Sequence, residues 1–329
     1  MKTPKQNAII ALEGGIPEGL VPTFELEFQL TEELLGKNYH TGGSIQNATQ
    51  KDRDWMMHGN AELWIETAKT LDYSIIMDVK SPDEESIIHN AQLIHEKIGD
   101  ELMLIVHGDG TYSIPDGNSM TDFSVRISED PDGMKRQADK MVDNAIARGQ
   151  WLVDGGIDGF ALCADYCFNS GPFLSPQMFS EFVTPYLARL IEAYHQMGAY
   201  VIKHSDGNIM PILDQLVSCN PHAIHSLDTQ AENMDLGVIK QMVGDQVCLI
   251  GGVECGLLQT GTEEEVIENA KLALREGMPA GGYIFSTSNV AFKGLPLERY
   301  LLMLDVRKRY GRYAPDGSTF WDKAEQAGS

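Results

Sequence analysis

Positive charge is scarce in this chain. Its 329 residues carry 25 Lys and Arg against 48 Asp and Glu, a formal net charge of −23 with His neutral. Such a field repels nucleic acid and anionic membrane surfaces, so neither is an expected partner. Cysteine is also sparse, with five residues (Cys163, Cys167, Cys219, Cys248 and Cys255) and no CxxC pair. An odd count without that spacing excludes a disulfide scaffold and a zinc ribbon. Cys163 and Cys248 sit in apolar runs and read as buried thiols. No run of 18 uncharged apolar residues occurs, and Met1-Lys-Thr-Pro-Lys-Gln6 has no apolar signal core; the expectation is a soluble, cytoplasmic protein. Low-complexity and linker-like stretches are missing too, so residues 1–329 are expected to form a single domain.

Core-forming material is plentiful, with 43% hydrophobic residues. Eight β-rich apolar runs recur: Val21–Leu26, Tyr73–Val79, Leu102–Val106, Gly159–Ala164, Ala199–Lys203, Ala223–Ser226, Val247–Gly251 and Gly282–Ser286. Amphipathic segments separate them, among them Met134–Gln150, Pro176–Met197, Ile209–Cys219, Met234–Val243 and Thr262–Gly277. Strands alternating with helices imply parallel pairing, and eight repeats predict a (β/α)8 TIM barrel, class α/β. Met1–Gly19 adds an N-terminal helical extension, and Arg307–Ser329 reads as a polar tail. Ser175-Pro176 marks a helix start, Thr262-Glu-Glu-Glu265 a capping box, and Gly198 and Gly277 left-handed helix ends.

Barrel chemistry gathers at the carboxyl ends of the strands. In order these ends offer Glu25 and Glu27, Asp78, His107-Gly-Asp-Gly110, Asp165 and Tyr166, His204 and Asp206, Asp228, Glu254 and Cys255, and Ser286 to Asn289. Carboxylates converging on one rim raise each other's pKa, a strain that a bound cation relieves. Asp109, Asp116 and Asp154 lie beside or one residue from Gly, where turn chemistry is the simpler reading. His204 and Asp206 share one strand face, because side chains repeat every two residues. With Asp228 from the next strand they make a three-ligand N/O set for a divalent metal, with Glu254 and Cys255 as further ligands. The alternative is a structural histidine beside an Asp-Gly turn.

Leu174-Ser-Pro-Gln-Met-Phe-Ser-Glu-Phe-Val-Thr-Pro-Tyr186 resembles the uroporphyrinogen decarboxylase superfamily. The resemblance continues through His204-Ser-Asp-Gly207, Gly251-Gly-Val-Glu254 and Gly281-Gly-Tyr-Ile284. It implies a (β/α)8 barrel and one of two chemistries. True decarboxylases carry arginines after the first strand and a histidine after the last. Here the first segment, Phe24–Leu30, holds glutamates, and Asn289 occupies the later place. The resemblance is closer to the corrinoid-dependent methyltransferases, whose zinc-binding His-x-Cys becomes His204-x-Asp206, with Ser288-Asn289 where a Cys is expected.

That harder ligand set resembles O-demethylase components, which pass a methyl group from an aryl methyl ether such as vanillate or guaiacol to a cobalt(I) corrinoid. The chain has no Asp-x-His-x-x-Gly stretch, so the corrinoid is expected on a partner protein. Zinc is the metal the resemblance implies, and a homodimer the assembly. His204, Asp206 and Asp228 are the expected catalytic cluster. Asp78, Asp165, Tyr166 and Asn289 are the expected substrate contacts, and the Tyr112–Phe123 loop is either an aromatic cover or an ordinary long βα loop. The alternatives are a heme-pathway decarboxylase and a non-catalytic tetrapyrrole- or corrinoid-binding barrel.

Overall fold

The computed structural model describes residues 2–322; Met1 and the end of the expected polar tail, 323–329, lie outside the described residues. Among the described residues, seven strands form one all-parallel sheet: β1 (Ile75–Asp78), β2 (Met103–His107), β3 (Gly159–Leu162), β6 (Tyr200–His204), β7 (Ala223–Ser226), β8 (Cys248–Val253) and β9 (Tyr283–Thr287). They pair in chain order, interrupted only by a small antiparallel hairpin, β4 (Cys167–Phe168) with β5 (Gly171–Pro172). Every sheet strand but β2 and β6 is buried throughout, as expected for strands covered on both faces.

The expected first strand, Val21–Leu26, is not a regular strand. It runs extended and makes isolated parallel bridges to the β9 side, Thr23 with Phe285 and Phe28 with Ala291. Phe285 N donates to Pro22 O (2.9 Å) and Ser74 N donates to Thr23 O (2.8 Å). Pro22 has no N–H to give a ladder, which limits the segment to single bridges. The architecture is therefore a curled seven-stranded parallel sheet with helices outside it, in place of the eight regular strands expected.

Helix boundaries follow local chemistry. Ser175 Oγ accepts from Met178 N (3.2 Å), and Thr262 with Glu265 completes the capping box before Glu263–Gly277. The single helix expected over Pro176–Met197 is two, Pro176–Phe182 and Thr184–Gln196. Pro185 cannot donate one turn back, so the hydrogen-bond ladder breaks at Val183. Gly277 is not a left-handed cap: it ends the helix, and any Cβ there would lie 2.5 Å from the Tyr283 ring. The helix Leu297–Tyr310 runs through the start of the expected polar tail, and Arg307 within it is buried. Its Nε donates to Val21 O (2.7 Å) and its Nη1 to Asp72 (2.9 Å), anchoring the extended first segment.

Strand pleat sets the direction of each side chain. Phe160 stacks on Tyr194 of the outer helix Thr184–Gln196, so it faces outward and its neighbour Ala161 inward. Ala161 pairs with His107 and with Ile202. His107 therefore faces inward, Lys203 outward and His204 inward. Lys203 is 1% exposed and its Nζ donates to Asp109 Oδ2 (3.2 Å), Leu162 O (3.0 Å) and Ala164 O (2.8 Å). Asp109 also accepts from Ala164 N and Thr111 N, and Lys203 together with these bonds holds its carboxyl below the usual range despite burial. Asp109 is thus more than the turn residue expected, whereas Asp116 does cap its own turn through Asn118 N and Ser119 N. Asp109→Ala leaves the Lys203 ammonium without its counter-ion in the interior. The expected cost is about 3–5 kcal/mol, read as a fall in urea midpoint at unchanged slope.

Candidate active site at the carboxyl ends of the strands

Three side chains from adjoining strand ends meet. His204 closes β6, Asp206 follows it by two residues, and Asp165 follows β3, the strand paired with β6. His204 Nε2 lies 3.6 Å from Asp165 Oδ1 and 3.5 Å from Asp206 Oδ1. One ligand atom from each of the three lies within 4.8 Å of the others. Backbone contacts fix the arrangement: Asp206 N donates to Asp165 Oδ1 (3.1 Å), and Tyr166 N donates to Ser205 Oγ (3.0 Å). Gly207 turns the chain at φ 78°, and a Cβ there would stand 2.5 Å from Phe168 O of the β4–β5 hairpin.

The imidazole is oriented from behind. His204 Nδ1 lies 2.8 Å from His225 Nδ1, so one ring donates and the other accepts. Burial, then the charge of Lys203, pushes His204 down to about 3, and burial drives His225 well below its ordinary value. Both rings are therefore neutral at pH 7. When His204 is the donor, its Nε2 lone pair points between the two carboxylates, the tautomer a metal ligand requires. His225 Nε2 is buried with no hydrogen-bond partner among the described residues.

Asp206 is held on both oxygens. Asn289 Nδ2 donates to Oδ2 (2.6 Å), and Ser226 Oγ lies 2.9 Å from Oδ1. Ser226 Oγ is also 2.5 Å from Ser288 O, which only accepts. A hydroxyl has one proton. Given to the closer Ser288 O, it leaves the Asp206 contact to be satisfied by a proton on Asp206 itself. Burial and the neighbouring Asp165 push Asp206 up to about 6, in the same sense. Ser226 has φ 97° and Leu227 φ 45°, a strained pair at the end of β7. Gly251 accommodates it, since a Cβ there would meet Ser226 O at 2.2 Å.

Other expected site residues have local partners instead. Asp78 accepts from Lys80 N, Ser81 N, Ser81 Oγ and Asn90 Nδ2, a turn-holding role. Tyr166 is buried, its hydroxyl on Thr111 Oγ1 and its ring beneath Lys203. Asp228 receives Gln230 N (3.1 Å) and stands outside the three-residue group, Asp165 taking its place. Glu254 accepts from Thr229 Oγ1 (2.9 Å). Cys255 Sγ faces Val290 O, with burial raising its pKa, and neither it nor Glu254 joins the group. Glu25 is buried against Thr287 and Tyr300, its acid pushed up to about 8 by burial. Cys163 is half-buried rather than buried. Ser226 and His225 were missed as site residues; the signal available was their pairing register with the His204 strand.

The group fits a metal. Ligand atoms about 2.1 Å from a tetrahedral ion stand roughly 3.4 Å apart. The two N···O separations here are 3.5 and 3.6 Å, too long for hydrogen bonds and close to that edge. Beside Asp165, Phe123 meets Tyr112 edge-on (5.4 Å) and Phe173 at a tilt (5.6 Å), making an aromatic wall around a small cavity.

Among solved structures, the chain is similar to a methyltransferase from Methanosarcina mazei at 16% identity, with TM-score 0.73 over 94% of this chain and 99% of that one. More distant are a 3-keto-D-glucoside 4-epimerase from E. coli (12% identity, TM-score 0.44, 76% of this chain and 94% of that one) and an N-acetylneuraminate lyase from Fusobacterium nucleatum (10%, 0.40, 76% and 73%). No curated protein matches the sequence significantly. The family model described as uroporphyrinogen decarboxylase (URO-D) matches residues 68–310, from the helix before β1 to the last residue of the helix Leu297–Tyr310. With most of its length so matched, the chain belongs to the URO-D family.

Proposed function

We propose that this protein is a methyltransferase that moves a methyl group from a small methylated donor, an aryl methyl ether, to the cobalt(I) corrinoid of a partner protein. The observation that carries the reading is the Asp165–His204–Asp206 group, open at the strand ends and backed by His225. The likeness of fold to the methyltransferase from Methanosarcina mazei supports it. So does the first segment, where buried Glu25 and Lys80-paired Glu27 offer no arginine to a substrate with many carboxylates.

Cleaving an aryl methyl ether needs help for a poor leaving group, and the oxygen must gain a proton or a Lewis acid as the methyl departs. Asp165, His204 and Asp206 are the residues that would hold zinc or another divalent ion, which would supply the Lewis acid. Without an ion, the chain's own proton source is Asp206, steadied on one oxygen by Asn289 and on the other by Ser226. Its proton passes to the ether oxygen as the methyl moves to the acceptor. Tyr112, Phe123 and Phe173 put apolar surface beside Asp165 for the donor ring to approach, although the cavity there is too small to enclose it. His225 holds the His204 ring in place and touches no substrate.

Purified protein, a reduced corrinoid protein and guaiacol-type ethers should together give the absorbance of methylated corrinoid. No such change with any ether, or carbon dioxide released from uroporphyrinogen, would contradict the reading. Asp206→Asn should lower turnover about 10²-fold or more by removing the proton donor. Turnover of the metal-free wild type should fall as pH rises above about 6, where Asp206 loses its proton. A flat rate between pH 6 and 8 would remove Asp206 from that role. The same substitution has the opposite effect on stability. Because the folded-state pKa is raised, wild-type stability is greatest below the unfolded value near 4 and declines as pH rises to about 6. In the metal-free protein, Asp206→Asn keeps both hydrogen bonds without the charge. It should be more stable at pH 7 by on the order of 1 kcal/mol, allowing for solvent screening of a group one-third exposed.

A further inference from the structure

A cavity of about 970 Å³ opens between the segment Ile16–Gly19 and the chain that leaves the helix Leu297–Tyr310. Arg312 forms an antiparallel bridge with Leu20, which stands just before the extended first segment, and that segment runs parallel to β9. The cavity therefore lies at the amino ends of the strands, on the face opposite Asp165, His204 and Asp206, and its occupant is not the methyl donor. Its walls are tied by hydrogen bonds. Tyr313 N donates to Gly19 O (2.7 Å), Val21 N to Gly311 O (2.8 Å) and Tyr313 Oη to Met278 O (2.9 Å). Ala314 N donates to Ser318 O (2.8 Å) across a turn that Asp316 caps by accepting from Ser318 N (3.0 Å).

Arg309, Arg312 and Lys2 line this cavity. Among the described residues, every other arginine makes an ion pair or donates to a carbonyl. Arg309 and Arg312 have neither kind of partner, in a chain with 25 basic residues against 48 acidic ones. Glu18 lines the same cavity, yet it pairs with neither arginine among the described residues. The end of the helix macrodipole accounts for a cation at Arg309, in the last turn, but not at Arg312, which lies beyond it. Arg312 Nη1 lies against Gly19, 3.2 Å from the place a Cβ there would take, so the guanidinium is seated at the cavity wall. The same wall carries aromatic surface: Phe320, 46% exposed, meets Tyr310 edge-on at 5.0 Å.

We propose that this cavity binds a nucleoside diphosphate or triphosphate. Guanidinium forks match phosphate oxygens two at a time, and three cations at one cavity suit more than one phosphate group. The exposed face of Phe320 suits the stacking of a base. The volume is that of a small-molecule site. A nucleic acid polymer is repelled by the rest of a surface of net charge −23, whereas a mononucleotide meets only the local cations.

Calorimetric titration of ADP, adenosine and pyrophosphate into the full chain, without divalent metal, tests the assignment independently of any methyl transfer. ADP should bind, more weakly as salt is added, with adenosine and pyrophosphate each at least tenfold weaker. The double variant Arg309→Gln/Arg312→Gln changes two exposed side chains that hold no hydrogen bond, so its melting temperature without ligand should match the wild type. Its ADP affinity should fall tenfold or more. Phe320→Ala should weaken ADP and leave pyrophosphate within about twofold, and Glu18→Gln should tighten ADP several-fold by removing a competing charge. No binding of ADP at millimolar concentration, unchanged affinity in the double variant, or pyrophosphate held as tightly as ADP would each overturn the proposal. Should the double variant fail to fold, the sign of the Glu18→Gln effect decides.

Discussion

The buried contact between Lys203 and Asp109 is the constraint on which the candidate site depends. Strand β6 must send Lys203 outward for His204 to face inward, and an ammonium outside the sheet but beneath the helices needs a counter-ion and acceptors. Asp109 supplies the charge, and the carbonyls of Leu162 and Ala164 supply the rest. Those carbonyls belong to the end of β3 and the loop after it. One interaction therefore ties the β2, β3 and β6 ends together and leaves Asp165 beside His204. The interior then holds a neutral imidazole between two acids, and burial together with Asp165 makes the charge of Asp206 more costly. The cluster is electrostatically strained as it stands, and a cation or a proton relieves it.

The strained backbone at Ser226 belongs to the same account. A non-glycine residue at φ 97° costs of order 1–3 kcal/mol and persists when its surroundings over-determine it. Here the gain is a hydroxyl placed between Asp206 and Ser288 O, at a point that Gly251 leaves clear. Stability given up at this strand end keeps an acid group in one orientation, as expected where a site must be rigid.

Much of the fold was legible in the sequence. Seven of eight expected strands lie where their apolar runs stand, because strands buried on both faces leave a continuous signal. The eighth failed at Pro22, whose missing N–H the hydrophobic run outweighed in the reading. The long helix after the hairpin was divided by Pro185, and Arg307 looked like tail because a buried arginine is invisible until its acceptors, Val21 O and Asp72, are folded against it. Of the candidate site, period-two spacing and strand-end position pick out His204 and Asp206, while Asn289, expected as a substrate contact, donates to Asp206. Chain order leads from His204 to Asp228 on the next strand and leaves Asp165 among the expected substrate contacts, whereas pairing of β3 with β6 puts Asp165 on the other side of the same histidine. The rim was read as a surplus of acids. Most of them serve local needs, Asp78 a turn, Glu254 a threonine and Glu25 a buried hydroxyl pair, and only hydrogen-bond partners distinguish these from the two that converge.

The central claim is that Asp165, His204 and Asp206 act as one ligand set. Metal content of the purified protein, compared across single alanine variants, addresses it most directly. The account expects close to one divalent ion per chain in the wild type and in Asp228→Ala, and loss of that ion in His204→Ala and Asp165→Ala. Metal kept by a folded Asp165→Ala protein and lost from Asp228→Ala would contradict it.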